Sequence, residues 1–423
     1  MRQIPAVEPE LPARRRVAFY SHDTQGLGHV RRTSLLARAV VGADPDTDVL
    51  LLSGAREATS LPLPERTEVV TLPRVGKDPD HGYGPRTWGG TLDDVVRVRA
   101  SVLDGALAAF RPDVLVVDKV PLGVGGELLP ALRRLRAEGG TACVLGLRDV
   151  LDTPEVAVRE WREQRSTSVI ERFFDEVWVY GDARVYDPLT EYALPEHVAA
   201  RTVFTGYLGR GRTIGTLPRT RVGPYVLCLV GGGQDGAALA EAFAAAPLPA
   251  GHRGVLVTGP YLPEATRDRL HAVAAGRDDL EVHAFVRDVV PLVEGAAAVV
   301  TMGGYNSVCE LLASGRPGLV VPRTHPRAEQ LVRACRLADL GLLDVLVGAI
   351  TPERVGAWLA RTAAGGAPRR PEVDVDLDGL ARVPELVDAL VGRPARRNEA
   401  PVRPAAAAPH PQDQQEEEHR ATA

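Results

Sequence analysis

The chain has 423 residues, 45% hydrophobic and 25% charged, with a formal net charge of -5. That length exceeds one ordinary core and calls for two domains. The balance excludes a disordered or fibrous protein, and the acidic net charge gives no electrostatic case for nucleic acid as the main partner.

Residues 1–15 read as a flexible, Pro-containing arm. The pattern then becomes short apolar run, polar turn, amphipathic helix. Strands are expected at 17–21, 48–53, 68–72, 113–118, 142–147 and 176–180. Helices are expected at 30–41, 91–110, 128–137 and 155–174, with a long loop over 75–91. Residues 206–223, rich in Gly, Thr and Arg, read as an interdomain linker. A second alternating series follows, with strands at 225–230, 254–258, 281–284, 298–301 and 318–322. Its helices fall at 237–245, 265–274, 307–314 and 329–338, with a further short segment at 289–294. Periodicity is lost over 363–377, a last short helix spans 384–391, and the Pro-, Ala- and Glu-rich tail 393–423 is expected to be disordered.

Apolar runs alternating with helices mean parallel sheets covered on both faces. The predicted fold class is α/β, with two Rossmann-like doubly wound domains, 16–215 and 216–392, facing across a cleft. Ligands of such sheets bind outside the carboxyl ends of the strands, which directs attention to the loops there. Cys143, Cys228, Cys309 and Cys335 have no metal spacing and read as small buried hydrophobes. No apolar run reaches the roughly 18 residues of a membrane span, and residues 1–16 lack a secretion signal. A cytoplasmic protein is expected, with peripheral contact at the inner face of a membrane left open.

Three loops carry candidate chemistry. In SHDTQGLGHVRR, Gly26 and Gly28 let backbone approach a ligand. His29 there is either a helix-capping residue or a base at the cleft mouth; His22 and Asp23 are competitors. In LVGGGQDGA, Gly231, Gly233 and Gly236 satisfy G-x-G-x-x-G between a strand and a helix. The next strand ends in Thr258 rather than the acidic residue that would hold a dinucleotide ribose, so NAD weakens while a diphosphate at Gly232, Gly233 and Gln234 survives. In MGGYNSVCE, Gly303 and Gly304 make a tight turn, and Asn306 and Ser307 open a helix whose amides favour an anion. Glu310, three residues after Ser307, has the capping-box spacing and reads as a cap or a ligand contact. Glu329 and Gln330 stand at a later strand-to-helix junction. Arg148, Asp149 and Asp152, after strand 142–147, are either acceptor contacts or a salt-bridged turn.

The ordered set MGGYNSVCE, a strand ending in Pro322, and EQ resembles the donor site of GT-B glycosyltransferases. The likeness is to the MurG-like peptidoglycan N-acetylglucosaminyltransferases and to proteins with a glycosyltransferase family 28 C-terminal domain, and it spans roughly residues 16–345. The resemblance implies that Gly303, Gly304, Asn306 and Ser307 bind the donor diphosphate and Glu310 the ribose diol. Glu329 and Gln330 would contact the donor sugar, Phe285 and Val286 the base, and GLGH the acceptor side. Met302 stands where related plant-type enzymes have His, so phosphate charge would fall to amides, with Arg323 or Arg327. No DxD motif precedes the donor site, and neither metal nor cofactor is expected.

The implied activity is an inverting, metal-independent transfer of a hexosyl group from a UDP-linked or other nucleotide-diphosphate sugar. His29 would be the base, with Asp149 or Asp23 as replacements. The acceptor is unidentified: a lipid-linked glycan, a cell-surface precursor or a natural product. A UDP-sugar epimerase of the same fold and a non-catalytic nucleotide-sugar-binding protein are the alternatives.

Overall fold

The computed structural model describes residues 14–23, 26–78, 82–212, 223–363 and 373–392. Most of the N-terminal arm, the centre of the linker and the tail from 393 lie outside them, as do the expectations made for those segments.

The first unit runs β1 (Arg16–Ser21), α1 (Gly28–Ala43), β2 (Asp48–Ser53), β3 (Thr67–Thr71), β4 (Val75–Asp78), β5 (Gly82–Pro85), α2 (Leu92–Phe110), β6 (Val114–Asp118), α3 (Leu129–Glu138) and β7 (Ala142–Arg148). It continues through α4 (Pro154–Glu163), α5 (Ser166–Phe173), β8 (Glu176–Tyr180), α6 (Pro188–Glu191), α7 (Glu196–Ala199) and β9 (Thr202–Phe204). Seven parallel strands lie in the order β3-β2-β1-β6-β7-β8-β9. β6 is buried at every position, which is why it reads as a continuous apolar run.

Two expectations fail here. The loop over 75–91 contains the antiparallel hairpin β4–β5, in which Val75 pairs with Pro85. Its Gly-rich strands carry no alternation to read. The single helix over 155–174 is two helices, broken at Arg165, whose φ is 50°. On one straight helix Ala157 and Phe173 would point about 160° apart, yet both are buried. The break lets both face the core.

The second unit runs β10 (Tyr225–Leu229), α8 (Ala237–Ala245), β11 (Arg253–Val257), α9 (Glu264–Ala275), β12 (Leu280–His283), α10 (Val290–Gly295), β13 (Ala298–Thr301), α11 (Tyr305–Ser314), β14 (Gly318–Val320), α12 (Glu329–Asp339), β15 (Asp344–Val345) and α13 (Pro352–Ala363). Its six parallel strands lie in the order β12-β11-β10-β13-β14-β15. Strand order reverses between β1 and β6 in one sheet and between β10 and β13 in the other. These are the positions where doubly wound sheets open a crevice.

The last helix, α14 (Gly379–Leu390), departs from the expected domain division. It packs on α1, and its buried Leu380, Val383, Val387 and Leu390 share a cluster with Leu36 and Val40. The Tyr207 amide donates to the Asp376 carbonyl at 2.8 Å, and the Asp376 amide to Asp182 at 2.9 Å. The chain therefore returns to the first domain before it ends, because the apolar stripe of α14 finds its cover on α1. Among the cysteines, Cys143, Cys228 and Cys309 are buried as expected, but Cys335 is exposed on α12. No helix among the described residues is long and apolar enough to cross a membrane.

Candidate functional site

The turn after β1 is held by Asp23, whose backbone is left-handed at φ 43°. Its carboxylate accepts from the Val30 amide at 3.0 Å, the Ser53 hydroxyl at 2.7 Å and the Ser21 hydroxyl. All this capacity goes to fixing the start of α1, so Asp23 is not placed as a base.

His29 lies in the first turn of α1, and its Nδ1 meets Oδ2 of Asp118 at the end of β6. Arg32, one turn further along α1, donates Nε to Asp118 Oδ1 at 2.9 Å and Nη2 to both carboxylate oxygens at 2.6 Å. Arg32 Nη2 also lies 3.1 Å from His29 Nδ1. The carboxylate is the stronger partner, so Nδ1 carries the hydrogen and Nε2 keeps the lone pair. Burial raises the Asp118 carboxyl, but the Arg32 charge and the hydrogen bonds from His29 and Arg32 outweigh it and hold the group well below the usual carboxylate range. Burial lowers His29 below its ordinary value, and Asp118 restores part of the loss. His29 is thus a neutral imidazole oriented by a carboxylate, with its side chain 14% exposed. His22 packs against it, ring centroids 4.6 Å apart. Burial, with the nearby charge of Lys119, lowers His22 well below its ordinary value.

The opposing domain supplies the glycine loops. Gly231 and Gly233 have φ of 65° and 91°. A Cβ on Gly233 would meet the Thr258 carbonyl oxygen at 2.4 Å, so only glycine fits there. A Cβ on Gly232 would lie 3.9 Å from the Gly26 Cα, so the two glycine loops face each other across the cleft. Gln234 is exposed. Gly303 has φ 83°, Gly304 is the N-cap of α11, and no side chain caps that helix. Its first-turn amides at Tyr305, Asn306 and Ser307 stand at the β10/β13 switch point. A cavity of about 580 Å³ opens beside this turn, lined by Asp235, Met302, Arg323 and His325 among others. Phe285 is 54% exposed, and Val286 packs partly against the core.

Several predicted residues join the domains instead of standing open. Asn306 donates to the Gly28 carbonyl at 3.0 Å and accepts from Arg212 at 2.8 Å. Glu310 is fully buried, 2.7 Å from Arg31 of α1 and 3.4 Å from Arg212. Neither of its oxygens receives a well-directed hydrogen bond. No capping box forms, since α11 starts at Tyr305 and leaves Glu310 in the second turn. Glu329 pairs with Arg323 at 2.7 Å, and Gln330 accepts from the Arg323 amide at 3.1 Å. Arg323 also reaches Asp235 of the glycine loop at 2.6 Å. Arg327 is spent on Asp152 and Glu160, at 3.0 and 2.6 Å.

Asp149 is corrected outright as a candidate base. It is fully buried and accepts from Arg333 Nη2 at 2.6 Å, Arg333 Nε at 2.8 Å and the Tyr207 hydroxyl at 2.8 Å. A carboxylate so matched is an interdomain tie. The residues that sequence reasoning passed over are Asp118, Arg32 and Lys119. An acidic residue ending an all-buried strand at the switch point was the signal for Asp118.

These features define the GT-B fold, two Rossmann-like domains meeting at a cleft lined by strand carboxyl ends. Within it, residues 226–362 match the glycosyltransferase family 28 C-terminal domain. The UDP-N-acetylglucosamine--N-acetylmuramyl-(pentapeptide) pyrophosphoryl-undecaprenol N-acetylglucosamine transferase of Methylorubrum populi is 28% identical over 221 residues, covering 47% of this chain and 56% of that protein. The chain thus spans about half the length of the curated relatives it matches. A calicheamicin glycosyltransferase superposes with a TM-score of 0.58 at 20% identity, over 90% of this chain and 99% of that one. A Listeria monocytogenes protein assigned as a UDP-N-acetylglucosamine 2-epimerase gives 0.55 at 14%, over 90% and 95%. These two likenesses establish the fold alone.

Proposed function

We propose that the protein is a glycosyltransferase that moves a hexosyl group from a UDP-linked sugar to an acceptor hydroxyl, with inversion and without a metal ion. The observation that carries this reading is the His29–Asp118–Arg32 arrangement on one domain, facing the uncapped start of α11 on the other. Asp118 fixes the imidazole so that Nε2 can take the proton of the attacking hydroxyl. The departing diphosphate is received by the amides and positive dipole end at Gly303, Gly304, Asn306 and Ser307. Gly232, Gly233 and Gln234 border the same phosphates, with Phe285 and Val286 at the base. Glu310 turns from Arg31 to the ribose diol when donor enters. Glu329 and Gln330 contact the sugar.

The experiment is a thermal-shift screen with UDP, dTDP, GDP and their sugars. Saturation at 100 times Kd stabilises by about 2.7 kcal/mol, and UDP should give the largest shift. No shift with any nucleotide sinks the reading. A second reading, UDP-sugar epimerisation, is favoured by the density of titratable groups in the cleft: His22, His29, Lys119 and Glu329. Incubation with UDP-N-acetylglucosamine alone separates the two, because an epimerase produces a new UDP-sugar without any acceptor.

A further inference from the structure

The cleft floor on the first domain carries more positive charge than the fold uses. Three carboxylates at the ends of β6 and β7 each have an arginine: Asp118 has Arg32, Asp149 has Arg333 and Asp152 has Arg327. Lys119 and Arg148 remain. Among the described residues neither has a carboxylate within ion-pair distance, and the Arg148 Nε is buried without a hydrogen-bond partner.

Both cations stand at the strand ends that hold the imidazole. Lys119 follows Asp118 directly, and its amide donates to the Gly146 carbonyl at 2.8 Å. Arg148 is the last residue of β7 and bears electrostatically on Lys119, His29 and Arg32. From the other domain, Glu329 bears electrostatically on both cations. Its Oε1 belongs to Arg323, and its Oε2 is buried without a partner. Arg148 Nε and Glu329 Oε2, one from each domain, are thus both buried without a hydrogen-bond partner, and the two side chains interact electrostatically.

Lys119 is costly to keep. Its backbone is left-handed at φ 68°, a conformation that strains any residue with a side chain. Burial, then the charges of Arg148 and Arg327, push its ammonium down to about 7. It is one of two lysines among 50 basic residues. Strain, desolvation and the lack of a partner together are what a ligand contact produces and a scaffold contact does not.

We propose that Lys119 and Arg148 form an oxyanion subsite on the acceptor side of the cleft, holding a carboxylate or phosphoryl group of the acceptor beside His29. The acceptor is therefore an anionic molecule. The inference rests on the transferase reading above, because it assigns this side of the cleft to the acceptor.

The test is calorimetry on the full chain saturated with UDP, using methyl glucoside, glucose 1-phosphate and glucuronate as probes. At least one charged probe should bind tenfold or more tightly than the neutral one. Arg148→Gln and Lys119→Gln should each erase most of that preference, Lys119→Arg should keep it, and UDP affinity should stay within a factor of two. Lys119→Gly should lose the preference while raising Tm, since it relieves the backbone strain. Equal affinity of the wild type for charged and neutral probes would overturn the proposal. So would a fall of several degrees in Tm for Lys119→Gly, which marks a structural lysine. Loss of UDP affinity in Arg148→Gln would also overturn it, assigning the cations to the donor diphosphate. Failure of the wild type to bind UDP at all is the separate failure of the transferase reading.

Discussion

The dyad makes the sharpest prediction, because its two members should fail differently. His29→Ala removes the proton acceptor but leaves the Arg32–Asp118 pair intact, with its contacts at 2.6 and 2.9 Å. Turnover should fall by about 10²–10⁴-fold, or roughly 3–5 kcal/mol of barrier, while stability changes by about 1 kcal/mol or less. Asp118→Asn keeps the shape but strips the charge that offsets Arg32, which is 2% exposed. Leaving a buried cation uncompensated costs up to about 3–5 kcal/mol, so this variant should lose both turnover and stability. The pH profile adds a sign. The base acts when neutral, so activity rises with pH through the His29 titration, which burial places below its ordinary value. Asp118 holds that titration up by charge and hydrogen bond, so Asp118→Asn should move the limb further to acid. Turnover is read as UDP release with the best acceptor from a panel, titration by NMR of the His29 ring, and stability by urea unfolding. Turnover within threefold of wild type in His29→Ala, or an alkaline shift of the limb in Asp118→Asn, refutes the reasoning.

Arg333→Met leaves Asp149 buried and unpaired across the domain junction, and should destabilise by about 3–5 kcal/mol in urea unfolding; less than 1 kcal/mol would show that the pair is dispensable. Glu310→Ala should weaken UDP binding at least tenfold, since charge-assisted hydrogen bonds contribute about 1.5–3 kcal/mol each. Unchanged affinity by calorimetry would restrict Glu310 to its contact with Arg31. His22 and His29 are both lowered by burial. Below pH ~6.5 the unfolded chain takes up protons that the folded chain refuses, so stability should drop as pH falls from 7.5 to 5.5. A urea midpoint that does not move over that range counts against the burial of both rings.

The sequence by itself determined the two alternating series and the places where glycine is compulsory. Apolar runs such as 114–117 and 226–229 have only one comfortable home, a strand covered on both faces. Gly233 and Gly303 are legible because the strand-to-helix turns there need left-handed backbone. What lay between elements was less legible. The hairpin at 75–85 has no periodicity, and the break at Arg165 carries neither glycine nor proline. The start of α14 at Gly379 was missed because Pro384, a common opener of helices, sits inside it. The partners of charged groups were decided only by the tertiary structure. Asp149 and Asp118 both stand near strand ends, and nothing local separates them. Asp149 meets an arginine 184 residues away and is closed off, whereas Asp118 meets His29 and Arg32 from 86–89 residues away and orients a ring. Periodicity is a property of neighbours along the chain, but the fate of a charge depends on what the fold carries to it from a distance.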